Sequence, residues 1–197
     1  MEIKVLLSNQ FTTTNWTGGT TTEFYISPNN SEYKKLNFDF RLSMAQVLSK
    51  ESIFTPLKGI SRKLMVLEGE IVLTHNNEKE TPLKSFEVDT FDGGWTTSCI
   101  GSCTDFNLMT SDNTSGELTA LQIEEEKSLE YKFDANLNFL CFYNYCGSVS
   151  ITINSIKKTV EQGAMLIIEK PTVAILKIDG ITKSTLIVTE ITNTIES

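Results

Sequence analysis

Apolar and polar residues alternate with period two over Phe38–Ala45. Phe38, Phe40, Leu42 and Met44 share one face, and Asp39, Arg41, Ser43 and Ala45 the other. Successive side chains of an extended chain point to opposite faces, so this stretch predicts a strand. Apolar patterning predicts further strands at Lys63–Thr74, Thr96–Ile100, Asp105–Thr110, Glu117–Glu124, Leu129–Phe133 and Phe139–Tyr145. Val149–Ile153, Met165–Ile168, Val173–Ile178 and Thr185–Ile191 complete the set. Turn formers separate them: Gly18-Gly19, Ser27-Pro28-Asn29-Asn30, His75-Asn76-Asn77, Asp92-Gly93-Gly94, Ser111-Asp112-Asn113 and Asp179-Gly180. Short strands at regular spacing with such turns predict a sandwich or barrel.

Composition agrees. Thr, Ile and Val number 25, 18 and 9 of 197 residues, against 5 Ala. β-branched side chains lose rotamer freedom on a helix and pack well on a pleat, so the chain reads as all-β. Sliding the sequence against itself reveals a repeat. Val66–Asn76 lines up with Asn144–Asn154, pairing Gly69 with Gly147, Thr74 with Thr152 and Asn76 with Asn154. Each copy reads as strand, glycine turn or bulge, strand, polar turn.

The formal charge of −8, with no cluster of Lys and Arg, argues against a nucleic-acid binder. No apolar run is long enough for a membrane helix, and Met1–Leu7 is too short and wrongly flanked for a signal peptide. Four cysteines then suggest thiols rather than bridges, and a soluble, cytoplasmic protein is expected. One histidine, His75, cannot build an imidazole-rich metal site, and it reads as a solvated turn residue. The spacings of Cys99, Cys103, Cys141 and Cys146 are looser than those of zinc ribbons. Buried thiols are the better reading, with structural zinc the alternative. Gly18–Thr22 lacks the lysine and helix of a phosphate loop and reads as a glycine turn entering a strand.

Arginine is scarce: of seventeen basic residues only Arg41 and Arg62 are Arg. A planar, permanently charged fork suits carboxylate or phosphate through paired hydrogen bonds. Arg41 lies on the polar face of its strand beside small Ser43 and Ala45, and Arg62 precedes the next strand. Period-two alternation also puts Asp105, Asn107 and Met109 on one face. An acid and an amide so placed could orient an arginine or meet a ligand, and both arginines could instead be structural, paired with Glu23 or Asp105.

Five segments in order resemble the HutD/Ves family: Trp16–Glu23, Phe40–Ala45, Phe54–Arg62, Leu64–Glu70 and Gly101–Met109. The match runs from about residue 7 to 112 and more thinly to 192. The family's Trp-x-Asn-Gly loop is here the shorter Trp16-Thr17-Gly18-Gly19. The resemblance implies a cupin-like β-barrel or sandwich with two cupin units (a bicupin) in one compact domain, residues 1–197, with approximate halves 1–112 and 113–197. It also implies a link to histidine utilisation and a small carboxylate, such as N-formylglutamate, as a regulatory ligand. The family's shared arginines fall on Arg41 and Arg62, and its Asp-Phe-Asn-x-Met run on Asp105, Phe106, Asn107 and Met109.

The leading expectation is therefore a small-carboxylate-binding protein with a regulatory role, more a binder than an enzyme. Arg41 and Arg62 hold the anion, Glu23 and Asp105 fix the guanidinium planes, and Asn107 and Ser43 add polar contacts. Neither metal nor cofactor is expected, nor nucleic-acid or membrane partners; a homodimer is plausible through edge strands. The competing reading is a metal-independent isomerase or hydrolase of a sugar or amino-acid derivative, with Glu23 or Asp105 as acid or base. A packed interior would instead favour a structural role.

Overall fold

The computed structural model describes residues 1–193, and there the β-branched composition is realised as strands with no α-helix. The first strands are β1 (Glu2–Leu6), β2 (Thr12–Trp16), β3 (Gly19–Ser27), β4 (Phe40–Val47), β5 (Glu51–Ile53) and β6 (Ile60–Gly69). They continue as β7 (Ile71–His75), β8 (Lys79–Leu83), β9 (Val88–Asp92), β10 (Thr97–Ile100), β11 (Cys103–Ser111) and β12 (Thr114–Ile123). The remainder are β13 (Ser128–Lys132), β14 (Phe139–Cys146), β15 (Ser148–Ile153), β16 (Ile156–Glu161), β17 (Met165–Glu169), β18 (Ile175–Gly180) and β19 (Ser184–Asn193). No helix is long and apolar enough to cross a membrane, which says nothing of strands.

The chain forms two compact units. The first spans Phe11–Ser115, and the second joins Met1–Gln10 to Gly116–Asn193. In the first, β2-β3-β4-β11-β6-β9 make one sheet and β5-β10-β7-β8 another. In the second, β1-β17-β14-β19-β12 and β13-β18-β15-β16 do the same. The strand orders repeat: β4-β11-β6-β9 corresponds to β12-β19-β14-β17, and β5-β10-β7-β8 to β13-β18-β15-β16. The expected barrel is not closed among the described residues; each unit consists of two open sheets. Their ends are polar edge strands such as β2, exposed at every position, which face water rather than another strand.

The aligned repeat marks equivalent corners. Gly69 turns β6 into β7 at φ 90°, and Gly147 turns β14 into β15 at φ 83°. A Cβ would lie 2.5 Å from the Ser102 carbonyl oxygen at Gly69 and 2.3 Å from that of Lys183 at Gly147. Glycine meets both demands, a left-handed backbone and close approach. One residue before each corner pair the ladder carries a bulge: Leu67 is extra against β11, and Tyr145 against β19.

Each unit has its own apolar core. In the second, Leu140, Phe142, Val149, Ile151, Ile153, Leu166, Leu176, Leu186 and Val188 pack together. In the first, Leu64, Val66 and Phe91 of the larger sheet meet Ile71, Leu73, Leu83 and Cys99 of the smaller. Each such fully buried side chain is worth about 1.5–3 kcal/mol relative to exposure.

His75 departs from expectation. It is 2% exposed, not a solvated turn residue, because it continues the inward alternation of Ile71 and Leu73 as the last residue of β7. Its Nε2 lies 2.7 Å from Asp89 Oδ2 on β9, and its Nδ1 lies 2.9 Å from Thr97 Oγ1 on β10. The imidazole thus ties the two sheets of the first unit. Aligning Gly69 with Gly147 carries His75 onto Ile153; the strand registers carry Asp89 onto Leu166 and Thr97 onto Leu176. A polar clamp in one unit stands where the other has aliphatic side chains.

Two stability predictions follow from these contacts. Gly69→Ala should cost roughly 2–4 kcal/mol in urea unfolding, from left-handed strain plus the backbone clash. Gly163→Ala is its control: φ is 79° but nothing lies within 4 Å of the new Cβ, so about 1 kcal/mol is expected. Equal losses would sink the role given to close approach. His75→Ala should cost about 3–5 kcal/mol by stranding a buried Asp89, whereas the triple variant His75→Ile, Asp89→Leu, Thr97→Leu should be near neutral. A triple variant as unstable as His75→Ala would refute that account.

Candidate functional site

The first unit's larger sheet aligns its polar residues in cross-strand rows. Arg41 on β4, Met109 on β11, Arg62 on β6 and Phe91 on β9 form one row. Glu23 on β3, Ser43, Asn107, Leu64 and Asp89 form the next, followed by Thr21, Ala45, Asp105 and Val66. Two-residue steps keep all three rows on one face, the face that meets the smaller sheet through Leu64, Val66 and Phe91. Both arginines, Asp105, Asn107 and Ser43 are buried, while the Glu23 side chain is about 29% exposed.

The six expected site residues fall into two hydrogen-bonded groups. Arg41 donates from Nε to Glu23 Oε2 at 2.6 Å and from Nη1 to Ser43 Oγ at 2.8 Å. Arg62 donates from Nη2 to Asn107 Oδ1 at 2.9 Å, and Asn107 Nδ2 donates in turn to Asp105 Oδ1. Glu23 therefore orients Arg41 directly, as expected, whereas Asp105 reaches Arg62 only through Asn107. The Arg62 Nε–H is buried without a hydrogen-bond partner.

Aromatic rings lie against both guanidinium groups. Arg62 lies 4.7 Å from the Phe54 ring centroid and 5.2 Å from that of Phe91, and Arg41 lies 4.5 Å from Tyr33. Sequence reasoning missed these rings and the His75 clamp, whose Phe91 neighbour has its ring centroid 4.7 Å from the imidazole. The inward parity of Ile71, Leu73 and His75 was the available signal.

Burial sets the electrostatics. Desolvation lowers Arg62 to about 10, against the attraction of Tyr33 and Asp105; Arg41 pushes the same way as burial. Desolvation raises the Asp105 carboxyl to about 6, while Arg62, Cys103 and Asn107 hold it down. Burial also raises the thiols of Cys99 and Cys141, to about 11 and about 12, and that of Cys103 further still. Free Cys99, Cys103 and Cys141 are buried as expected, and Cys103 donates to Asp105 Oδ2 at 3.6 Å.

The second unit supplies an internal contrast. The positions of Arg62, Asn107 and Asp105 are taken there by Leu140, Val188 and Leu186, all buried. No three or more His, Cys, Asp or Glu side chains among the described residues are grouped to hold a metal ion.

A conserved protein of unknown function from Pseudomonas aeruginosa PAO1 is similar in structure, at 20% identity and a TM-score of 0.83, over 98% of this chain and 99% of that one. HutD from Pseudomonas fluorescens SBW25, solved in a formate condition, matches at 19% identity and a TM-score of 0.74, with 98% and 99% covered. The bacterial pirin YhhW of Escherichia coli, in complex with nickel(II), matches at 11% identity and a TM-score of 0.71, over 98% and 100%. These likenesses make the fold cupin-like; with one histidine committed to Asp89 and Thr97, the residues here do not fit a nickel site of imidazoles. Comparison with curated protein sequences found no match. The HutD family model matches residues 8–187, and on that span the chain belongs to the HutD family.

Proposed function

We propose that the chain is a HutD-like regulatory protein that binds a small carboxylate between the sheets of its first unit, the two units being two cupin units in one chain. The observation that carries this reading is Arg62, a buried guanidinium lying against the rings of Phe54 and Phe91 with its Nε–H unpartnered. An unmade hydrogen bond from a buried charged donor is costly, and a carboxylate oxygen would complete it with a charge-assisted bond. Arg41, oriented by Glu23 and Ser43, supplies the second cation. The aliphatic equivalents in the second unit argue that the fold itself does not require these charges. Formate in the condition of the Pseudomonas fluorescens HutD is the smallest ligand of this class and a sensible first probe.

Each carboxylate on this face has a partner: Glu23 is tied to Arg41 directly, Asp105 to Arg62 through Asn107, and Asp89 to His75. An isomerase or hydrolase would instead need an acid or base free to meet substrate, and no observation favours one. The family's name fits a place in histidine utilisation, and N-formylglutamate is a candidate ligand.

Thermal unfolding with formate, N-formylglutamate, glutamate and urocanate tests the reading. A ligand at about a hundredfold its Kd adds roughly 2.7 kcal/mol. At about 2–4 °C per kcal/mol the midpoint should rise by several degrees. Arg62→Lys and Arg41→Lys should each lose most of that rise. The variant carrying Arg62→Leu, Asn107→Val and Asp105→Leu, borrowed from the second unit, should fold and show none. An equal rise in parent and arginine variants, or no rise with any compound, would defeat the assignment.

A further inference from the structure

We propose, resting on the carboxylate site above, that the anion enters together with one proton, taken from water and held on the carboxyl group of Asp105. The charges around the site motivate it. Arg41 and Glu23 meet at 2.6 Å and neutralise each other. Arg62 has no carboxylate in contact; its countercharge is Asp105, one amide further on. With Asp105 ionised the site is already balanced, so a carboxylate added at Arg62 would leave an uncompensated negative charge in an interior that water scarcely reaches. Burying an unpaired charge is strongly unfavourable, and a group that can shed its charge does so instead. Protonation of Asp105 restores balance, so anion and proton together add no net charge to the site.

Asp105 is placed for this role. It is 2% exposed, and burial raises its carboxyl to about 6, with Arg62 the strongest influence opposing the rise. A carboxylate at Arg62 would offset that influence and raise Asp105 further, so that in the bound state it keeps its proton through and above the neutral range. The groups acting on Asp105 come from two strands, Cys103 and Asn107 from β11 and Arg62 from β6, and Asp105 in turn acts on the neutral thiol of Cys99 on β10. Its register neighbours, Ala45 on β4 and Val66 on β6, carry no charge. Arg41 and Glu23 stand on the same sheet face and are paired, Asp89 on that face is bonded to His75, and Tyr33 lies against Arg41.

Asn107 can transmit the change. In the ionised state its amide N–H faces Asp105 and its carbonyl faces Arg62. A proton on Asp105 Oδ1 makes that oxygen a donor, which favours the opposite orientation of the amide, carbonyl toward Asp105. The amide nitrogen then faces Arg62, donor to donor, and the Nη2–H is released to the incoming carboxylate. Asn107 is a positioning residue in this scheme, and Asp105 is the proton acceptor.

Calorimetric titration of the full chain with formate at pH 5.5, 6.5, 7.5 and 8.5, in two buffers of unlike ionisation enthalpy, tests the proposal. Formate is ionised throughout this range. Close to one proton should be taken up per formate at pH 7.5, and affinity should fall about tenfold per pH unit above about pH 7. In Asp105→Asn both effects should vanish while formate still binds. The proton count on the parent chain decides the matter even if that variant does not fold. Arg62-dependent binding with no proton uptake and no pH dependence overturns this proposal and leaves the carboxylate reading standing. Proton uptake that persists in Asp105→Asn overturns the assignment to Asp105. Absence of formate binding to the parent chain at pH 5.5 removes formate as a ligand of the site and the proposal with it.

Discussion

Burying a guanidinium group between two β-sheets is the constraint on which the first unit's interior depends. Arg62 cannot give up its proton as a carboxylic acid can take one, so its neighbours must accept its hydrogen bonds and balance its charge. The rings of Phe54 and Phe91 lie against it, Asn107 accepts one of its hydrogen bonds, and Asp105 supplies the distant countercharge. Because Asp105 is bonded to Asn107 and Cys103 rather than to Arg62, the charge pair is stretched and the donor edge is left incomplete. A direct bidentate pair would have been the more stable arrangement and would have closed the site to an anion.

Most interior strands of both units were legible in the sequence, as were the edge strands β12 and β13. The interior β3 was read only as a strand entered from the Gly18-Gly19 turn, and most other edges were missed. Asp105–Thr110, Phe139–Tyr145, Val149–Ile153 and Thr185–Ile191 sit within β11, β14, β15 and β19, each paired on both sides and carrying apolar residues on both faces or in clear alternation. The strands that went unread, β1, β2, β5, β8, β9 and β16, all lie at sheet edges. An edge strand such as Thr12–Trp16 or Ile156–Glu161 faces water along much of its length, and its polar composition hides it from a test built on burial. The predicted strand Lys63–Thr74 is divided at Gly69, where one glycine reverses the direction of burial without breaking the apolar pattern.

The site was legible in a different way. Scarcity singled out Arg41 and Arg62, and period-two alternation put Asp105 beside Asn107. The partners were only half readable, since whether Glu23 or Asp105 touches an arginine depends on the register of four strands and on two bulges or irregularities. Alternation fixes a face but not a neighbour across the sheet. His75 was misread for a related reason. The Asn-Asn turn begins one residue after it, and a boundary error of one residue moves a side chain from solvent to core.

The repeated strand order separates what backbone does from what side chains do. Both units place a bulge and a left-handed glycine at the same corner, Leu67 and Gly69 in one, Tyr145 and Gly147 in the other. A corner made by backbone geometry is indifferent to the residues pointing inward along the strands beyond it. That is why Arg62, Asn107 and Asp105 can replace Leu, Val and Leu without altering the order of a single strand. The same independence explains how a nickel-bound pirin can match 98% of this chain while its metal chemistry has no counterpart in the residues present. A shared frame transmits geometry, and the ligand is chosen by the few side chains that interrupt an otherwise apolar interior. In this chain those side chains are two arginines, with Glu23 paired directly to Arg41, Asp105 one amide removed from Arg62, and Asp89 held by His75.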